Sequence, residues 1–100
     1  MLYVWHISRE GGSSNYETFI EIVVIASDEE TARRISPKGD FMTDEYLEEE
    51  RKGYINFYGS DEEYNLWWPV NIKGLVVKNI GVAGPNQKDR EVICASYHPG

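Results

Sequence analysis

Residues 16–30 read YETFIEIVVIASDEE, and this stretch decides the fold because a strand pattern ends in it and a helix pattern begins. Six of the seven residues in 19–25 are apolar, so a period-two strand here is apolar on both faces. Such a strand is typical of the centre of a sheet, where at least part of its length is covered on both sides. Ser27, with Glu30 three residues later, matches a capping box and predicts a helix over 28–35.

Further strand signals lie on both sides of this stretch. Residues 2–8 are rich in β-branched and aromatic types, and the glycines and serines of 11–14 predict a hairpin loop after them. Near the carboxyl terminus, 72–83 and 92–96 are predicted to form one hairpin around a Gly-Pro-Asn turn. A weak alternation over 54–58 predicts an edge strand. The whole pattern predicts an α+β fold, with a small mostly antiparallel sheet of about four to five strands and one packed helix.

The net charge of −7 comes from one segment in the middle of the chain. Nine acids and two bases fall within 40–63, whereas the rest of the chain holds eight acids and eight bases. Inside this segment, Thr43 is placed to cap a helix over 43–52 whose apolar edge consists of Tyr46 and Leu47. We therefore expect a single domain over 1–100, in which an insertion-like segment at 40–63 carries a peripheral acidic helix.

Length and composition bound the class of protein. A chain of 100 residues can bury one core but is too short for separate cofactor and substrate domains. The one cysteine, Cys94, lies in an apolar run, which predicts a buried thiol, no intramolecular disulfide and a reducing compartment. Residues 1–6 lack a basic leader, and no apolar run approaches the roughly 18 residues that span a bilayer. We expect a soluble cytoplasmic protein without membrane association.

The residue types that support catalysis or metal binding are sparse or badly spaced. His6 and His98 are the only histidines, and a zinc site needs at least two more nitrogen or sulfur ligands. Cys94 and His98 would lie roughly 13 Å apart along one strand, too far for a nucleophile and its base. The acidic segment lacks the residue order of a calcium loop. The sequence therefore predicts no metal, no cofactor and no catalytic residues, with a small hydrolase kept as a less favoured alternative.

Direct nucleic-acid binding is also not expected. The glycines of 11–14 lack the Lys-Ser/Thr ending of a phosphate-binding loop. Arg33, Arg34 and Lys38 form one small basic cluster in a chain of net charge −7, which repels a polyanion.

Two parts of the chain resemble a group of small uncharacterised phage and prophage proteins. One is Ile80-Gly81-Val82-Ala83 followed by Val92-Ile93-Cys94-Ala95-Ser96, an aromatic residue and a final glycine. The other is Glu29-Glu30, Ala32-Arg33 and Ile35, with Pro37 and Gly39. The chain departs from that group at Tyr97-His98-Pro99, where its members have an aromatic residue, Asn and Ala. The resemblance implies a phage-type origin, a bacterial host and an α+β fold, but it transfers no catalytic residue.

The preferred hypothesis is a non-enzymatic phage-type accessory protein that binds a host or defence protein through an acidic, aromatic surface. Carboxylates concentrated in one segment steer basic surfaces toward it and can imitate phosphates, as a nucleic-acid mimic or a counter-defence inhibitor does. A large ring would anchor the partner. The predicted partner-binding residues are Asp44, Glu45, Glu48, Glu49, Glu50, Asp61, Glu62 and Glu63, with Trp67 or Trp68 as the anchor.

The alternative hypothesis is an oligomeric binder, or sponge, of a small anionic ligand. Arg33, Arg34 or Lys38 would meet the anion beside aromatic rings, in pockets between the subunits of a homo-oligomer.

Overall fold

The computed structural model describes residues 1–9, 18–58, 68–69 and 71–98, and these form a sheet with helices on one side. In chain order the elements are β1 (Tyr3–Ser8), β2 (Thr18–Ala26), α1 (Glu29–Arg33), α2 (Asp44–Tyr58), a short 3₁₀ turn (Ile72–Gly74), β3 (Val76–Val82) and β4 (Val92–His98). The predicted α+β fold is confirmed.

The four strands pair antiparallel throughout, in the order β3-β1-β2-β4. β1 and β2 form the central pair, with Ile7 opposite Ile22 and Trp5 opposite Val24. The central position predicted for the apolar strand in 16–30 is thus confirmed. The predicted loop at 11–14 lies outside the described residues.

The predicted carboxyl-terminal hairpin is wrong, because β3 and β4 lie at opposite edges of the sheet. The β1–β2 pair leaves one open edge on each strand, and β3 adds to β1 while β4 adds to β2. The connection between them crosses the end of the sheet. There, the N–H of Ala83 donates to the carbonyl of Leu2 and the N–H of Arg90 donates to that of Ile25.

One face of the sheet carries the core. Trp5 and Ile7 of β1 and the alternate residues of β2 bury their side chains on it. The Trp5 indole Nε1 donates to the carbonyl of Ala26 at 3.0 Å, so this large ring is fixed by a hydrogen bond as well as by packing. The other buried hydrophobic residues of this core are Ile22, Val24, Ala26, Ala32, Ile35, Met42, Trp68, Ile72 and Leu75.

Helix α1 is shorter than predicted and begins one residue later. Its N-cap is Asp28, not Ser27, because the Asp28 Oδ1 accepts a hydrogen bond from the Thr31 N–H at 2.7 Å. After Arg33 the chain leaves the helix, and Ile35 forms an isolated antiparallel bridge with Phe41. The short helix still covers the sheet, through the buried Ala32.

Helix α2 is longer than predicted and includes residues that were predicted to form a strand. Thr43 caps it as expected, its Oγ1 accepting from the Tyr46 N–H at 3.2 Å. The helix then continues through 54–58, so the predicted edge strand there is wrong. Extending a formed helix gains one hydrogen bond for each residue fixed, whereas a separate edge strand has to find a sheet partner. The last residues of the predicted acidic segment, 59–63, lie outside the described part of the chain.

Within the described ranges, no helix is both long and apolar enough to cross a membrane.

Candidate functional site

A shallow acidic depression of about 400 Å³ lies on the first turns of α2. We call it the Tyr46 patch, and its lining residues are Thr43, Glu45, Tyr46, Glu49 and Glu50. Residues four apart on a helix lie on the same side, which brings Glu45 next to Glu49 and Tyr46 next to Glu50. Among the described residues, no cation or hydrogen-bond donor pairs with the three glutamates, so their charges face solvent uncompensated.

Tyr46 lies at the centre of this negative field. Its side chain packs partly onto the protein and remains 37% exposed. Burial raises the pKa of the Tyr46 phenol, and the charges of Glu50 and Asp40 raise it further. The hydroxyl is therefore held in its protonated form, which can donate a hydrogen bond to a partner.

The other predicted carboxylates of α2 are compensated within the protein. Asp44 lies 2.7 Å from the Arg34 guanidinium. Glu48 lies 3.8 Å from Arg51 and 4.0 Å from Lys52 on its own helix. The five helical acids expected to act together thus divide into an unpaired group and a paired group. Asp61, Glu62, Glu63 and Trp67 lie outside the described residues.

Trp68 does not serve as a surface anchor. It is 2% exposed and belongs to the core together with Ile72 and Leu75. The residue after it, Pro69, is also buried, so the segment is packed inward. Among the side chains that the structure describes, the aromatic residue that lines the acidic surface is Tyr46. The sequence contains a signal for this position, because Tyr46 lies three residues after the cap Thr43 and on the same side of the helix as Glu49 and Glu50. The apolar ring of Tyr46, however, predicted only packing against the protein.

Arg33, predicted as an anion ligand, instead holds the chain after Trp68. Its Nη1 donates to the carbonyls of Ile72 and Leu75, both at 2.8 Å, and its Nη2 lies 3.6 Å from Glu29. A guanidinium that satisfies two main-chain carbonyls braces the 3₁₀ turn against α1.

Arg34 is also engaged within the protein. It donates to Glu30 at 2.9 Å, to Asp44 at 2.7 Å and to the carbonyl of Met42 at 3.1 Å. The hydrogen bonds to Asp44 and Glu30 raise the pKa of Arg34 above its ordinary value.

A groove of about 280 Å³ runs between α1, the start of α2 and the 3₁₀ turn. Two carboxylates line it beside its basic groups, and both guanidiniums already bind protein oxygens. Lys38 is not among the lining residues. The groove therefore has the mixed charge of an internal brace and does not favour the anion-sponge alternative. Its lining residues are Glu30, Arg33, Arg34, Asp44, Leu47, Asn71, Ile72 and Lys73.

Cys94 is exposed, so the predicted buried thiol is wrong. The residue lies on an edge strand, while α1 packs on β1, β2 and β3. On the sheet face away from the core, the His6 Nε2 lies 3.0 Å from the Glu21 Oε2. Within the part of the chain that the structure describes, no three His, Cys, Asp or Glu side chains are grouped to hold a metal ion.

No protein-family model, curated protein or solved structure matches the chain. The resemblance to small phage proteins therefore stays a prediction.

Proposed function

We propose that the protein acts by binding and not by catalysis, and that it presents the Tyr46 patch to a basic surface of another protein. The observation that carries this proposal is the contrast along α2. Asp44 and Glu48 have cationic neighbours, whereas Glu45, Glu49 and Glu50 surround a half-buried tyrosine with no counter-charge in the described part of the chain.

This contrast matters energetically. A carboxylate already paired with a neighbour gains little from a second cation, and forming the complex would require the first pair to rearrange. An unpaired carboxylate gains charge-assisted hydrogen bonds from a partner arginine or lysine. Tyrosine is enriched among residues that dominate binding energy, since it buries a large ring while its hydroxyl makes a hydrogen bond. The patch thus combines long-range attraction with a central anchor.

As for the partner, we propose a host or defence protein with a basic surface, and a phage-type origin for the chain. A row of carboxylates along one helix face can occupy a site shaped for phosphates. The confinement of the net charge to 40–63 supports a basic partner, and the choice of a host or defence protein follows from the predicted resemblance of 80–96 to phage proteins. The cytoplasm of the bacterial host is then the place of action.

The test compares two double variants of the full-length chain. Glu45→Gln with Glu49→Gln removes two charges from the patch, and Asp44→Asn with Glu48→Gln removes two from the paired acids of the same helix. Both are used as bait in a bacterial lysate at about 0.1 M and about 1 M salt, where the Debye length is about 10 Å and about 3 Å respectively. Circular dichroism confirms that α2 is retained in each variant.

We expect the unaltered chain to capture a basic protein at low salt and to lose it at high salt. The patch variant should lose this protein at low salt, whereas the variant at the paired acids should keep most of it. Capture that is indifferent to salt, equal losses in both variants, or no protein captured above a bead-only control would each contradict the proposal.

A further inference from the structure

Among the described strands, β4 lies at one edge of the sheet, and it lacks the charged residues that usually protect such edges. It carries no Lys, Arg, Asp or Glu from Val92 to His98, although the chain as a whole has a net charge of −7. Natural edge strands are usually protected by charged residues, prolines or bulges, because unpaired N–H and C=O groups pair readily with another strand.

The opposite edge, β3, shows the contrast. It carries Lys78 at mid-strand, and its register to β1 shifts beside Ile80, which bends the strand. Gly81 follows at a φ of 157°. In the pairing of β4 with β2 one register shift falls beside Ile93, near the start of β4, and a second falls between Phe19 and Glu21 of β2, so the pairing is regular from Cys94 to Ser96. Each edge strand thus has one bulged residue, and the difference between the two edges is the charge of Lys78, so β4 is the edge better suited to accept a further strand.

The direction of the backbone groups on β4 follows from its pairing with β2. The N–H of Ile25 donates to the carbonyl of Glu91, and the carbonyl of Ile25 accepts from the N–H of Arg90. The N–H and C=O groups of Val23 and Glu21, at alternate positions of β2, therefore also point toward β4. Cys94 lies opposite Val23 and Ser96 lies opposite Glu21, so the N–H and C=O groups of Cys94 and Ser96 point toward β2. The N–H and C=O of Ala95, between them, point away from the sheet.

The side chains around Ala95 are also uncovered. Ile93 is 44% exposed, and residues 94–96 are exposed as well. A strand that is open at its edge and uncovered on its faces can add a second strand without moving any described element.

We propose that a second copy of this chain occupies the edge, with the two β4 strands pairing antiparallel around Ala95 to give one continuous sheet across a two-fold axis. This arrangement is self-complementary, since Ile93 lies opposite Tyr97 of the other copy and Cys94 lies opposite Ser96. No like charges meet along the paired strands. Elsewhere two molecules of charge −7 repel each other, so an uncharged edge is where they can approach.

Sedimentation velocity of the full-length chain, in the presence of a reductant and over a range of concentrations, tests the proposal. We expect a species of twice the 11.5 kDa chain mass that dissociates on dilution. The matched variants are Ile93→Lys on β4 and Ile80→Lys on β3, which place the same charge at an exposed isoleucine on either edge. Ile93→Lys should raise the dissociation constant about tenfold or more, and Ile80→Lys should leave it unchanged.

Two further measurements place the contact. Ala95→Pro removes an outward N–H that β2 does not use, so it should abolish the dimer while circular dichroism shows a retained sheet. A short bis-maleimide reagent with a reach of roughly 10 Å should link the copies through Cys94, because diagonal neighbours across paired strands lie about 7–8 Å apart. Two copies joined through β3 would hold their cysteines about seven strand spacings apart, roughly 34 Å, and would not be linked.

A monomer at every concentration would overturn the proposal. So would a dimer that Ile80→Lys weakens and Ile93→Lys does not, or one that the reagent fails to link. A chain that stays monomeric alone but binds an extended host peptide at β4 would also overturn it, since the occupant would then be another protein.

Discussion

The Arg34 guanidinium bridges the two helices, with its Nη2 2.7 Å from the Asp44 Oδ1 at the start of α2. The same side chain donates to Glu30 on α1 and to the carbonyl of Met42 between the helices. Helix α2 packs on the core through Leu47, which is partly buried. Arg34 thus supplies the polar link that fixes the orientation of the acidic helix.

Replacing Arg34 should therefore destabilise the fold more than replacing its exposed partner. We expect Arg34→Ala to lower the free energy of unfolding by about 1–2 kcal/mol, because the carbonyl of Met42 loses a charged donor. Asp44→Asn should cost under about 1 kcal/mol, since Asp44 is exposed and the pair is screened by water. Urea unfolding followed by circular dichroism measures both. Equal losses in the two variants would mean that the bond to Met42 contributes nothing.

The two described tryptophans differ in whether the indole N–H has a hydrogen-bond acceptor, and replacing each by phenylalanine measures the effect of this difference. Trp5 donates its indole N–H to the carbonyl of Ala26, whereas the buried Nε1 of Trp68 finds no acceptor among the described residues. Both lose similar volume on replacement by Phe, so Trp5→Phe should cost about 1–2 kcal/mol more than Trp68→Phe. Thermal or urea unfolding of the two variants gives this difference directly. A larger loss for Trp68→Phe would show that its ring packing outweighs the hydrogen bond.

Local patterns in the sequence predicted the elements better than their partners. The apolar run in 19–25 indicated a central strand because both of its faces are apolar, and Thr43 indicated a helix start because its hydroxyl can accept from an N–H of the first turn. The hairpin predicted around 84–86 failed because a turn signal shows where the chain bends and not which strand it joins next. The open edges of β1 and β2 decided that, and they are separated from the turn by most of the chain.

The candidate site shows the same limit. Its acidic character can be read from the sequence, and Glu48 pairs with Arg51 and Lys52 of its own helix at i,i+3 and i,i+4 spacing. The pairing of Asp44, however, depends on Arg34, which lies ten residues earlier, at the end of α1. The burial of Trp68 depends on the course of the 3₁₀ turn after it, and Arg33 holds that turn in place. Such long-range hydrogen bonds leave no periodic trace in the sequence.

The cap of α1 should make stability depend on pH in the acid range. The backbone N–H of Thr31 donates to Asp28 and lowers the pKa of that carboxyl below its usual value. Because the folded pKa is lower than the unfolded one, the ionised cap stabilises the fold above about pH 4 and loses this effect as the pH falls through the folded pKa. Asp28→Asn keeps a capping oxygen without the charge. The stability advantage of the unaltered chain over this variant should therefore shrink on acidification, as urea unfolding over a pH series will show. An advantage that is constant with pH would contradict the ionised cap.

The pKa of Tyr46 should depend on the unpaired carboxylates of the Tyr46 patch. Its pKa is raised first by burial and then by Glu50 and Asp40, so Glu50→Gln should bring that pKa part of the way back toward the ordinary tyrosine value. A raised folded pKa means that the unfolded chain loses its proton first. The stabilising effect of the protonated phenol is thus complete below the unfolded pKa of about 10 and is lost as the pH rises through the folded one.

The chemical shift of the ring carbon that bears the hydroxyl, assigned with Tyr46→Phe, follows the titration. Glu48→Gln is the matched control, because Glu48 lies beside Arg51 and Lys52 and should leave the Tyr46 pKa unchanged. Equal shifts in both variants would show that the tyrosine senses the total charge of the helix and not the patch around it, and the case for Tyr46 as the anchor would fail.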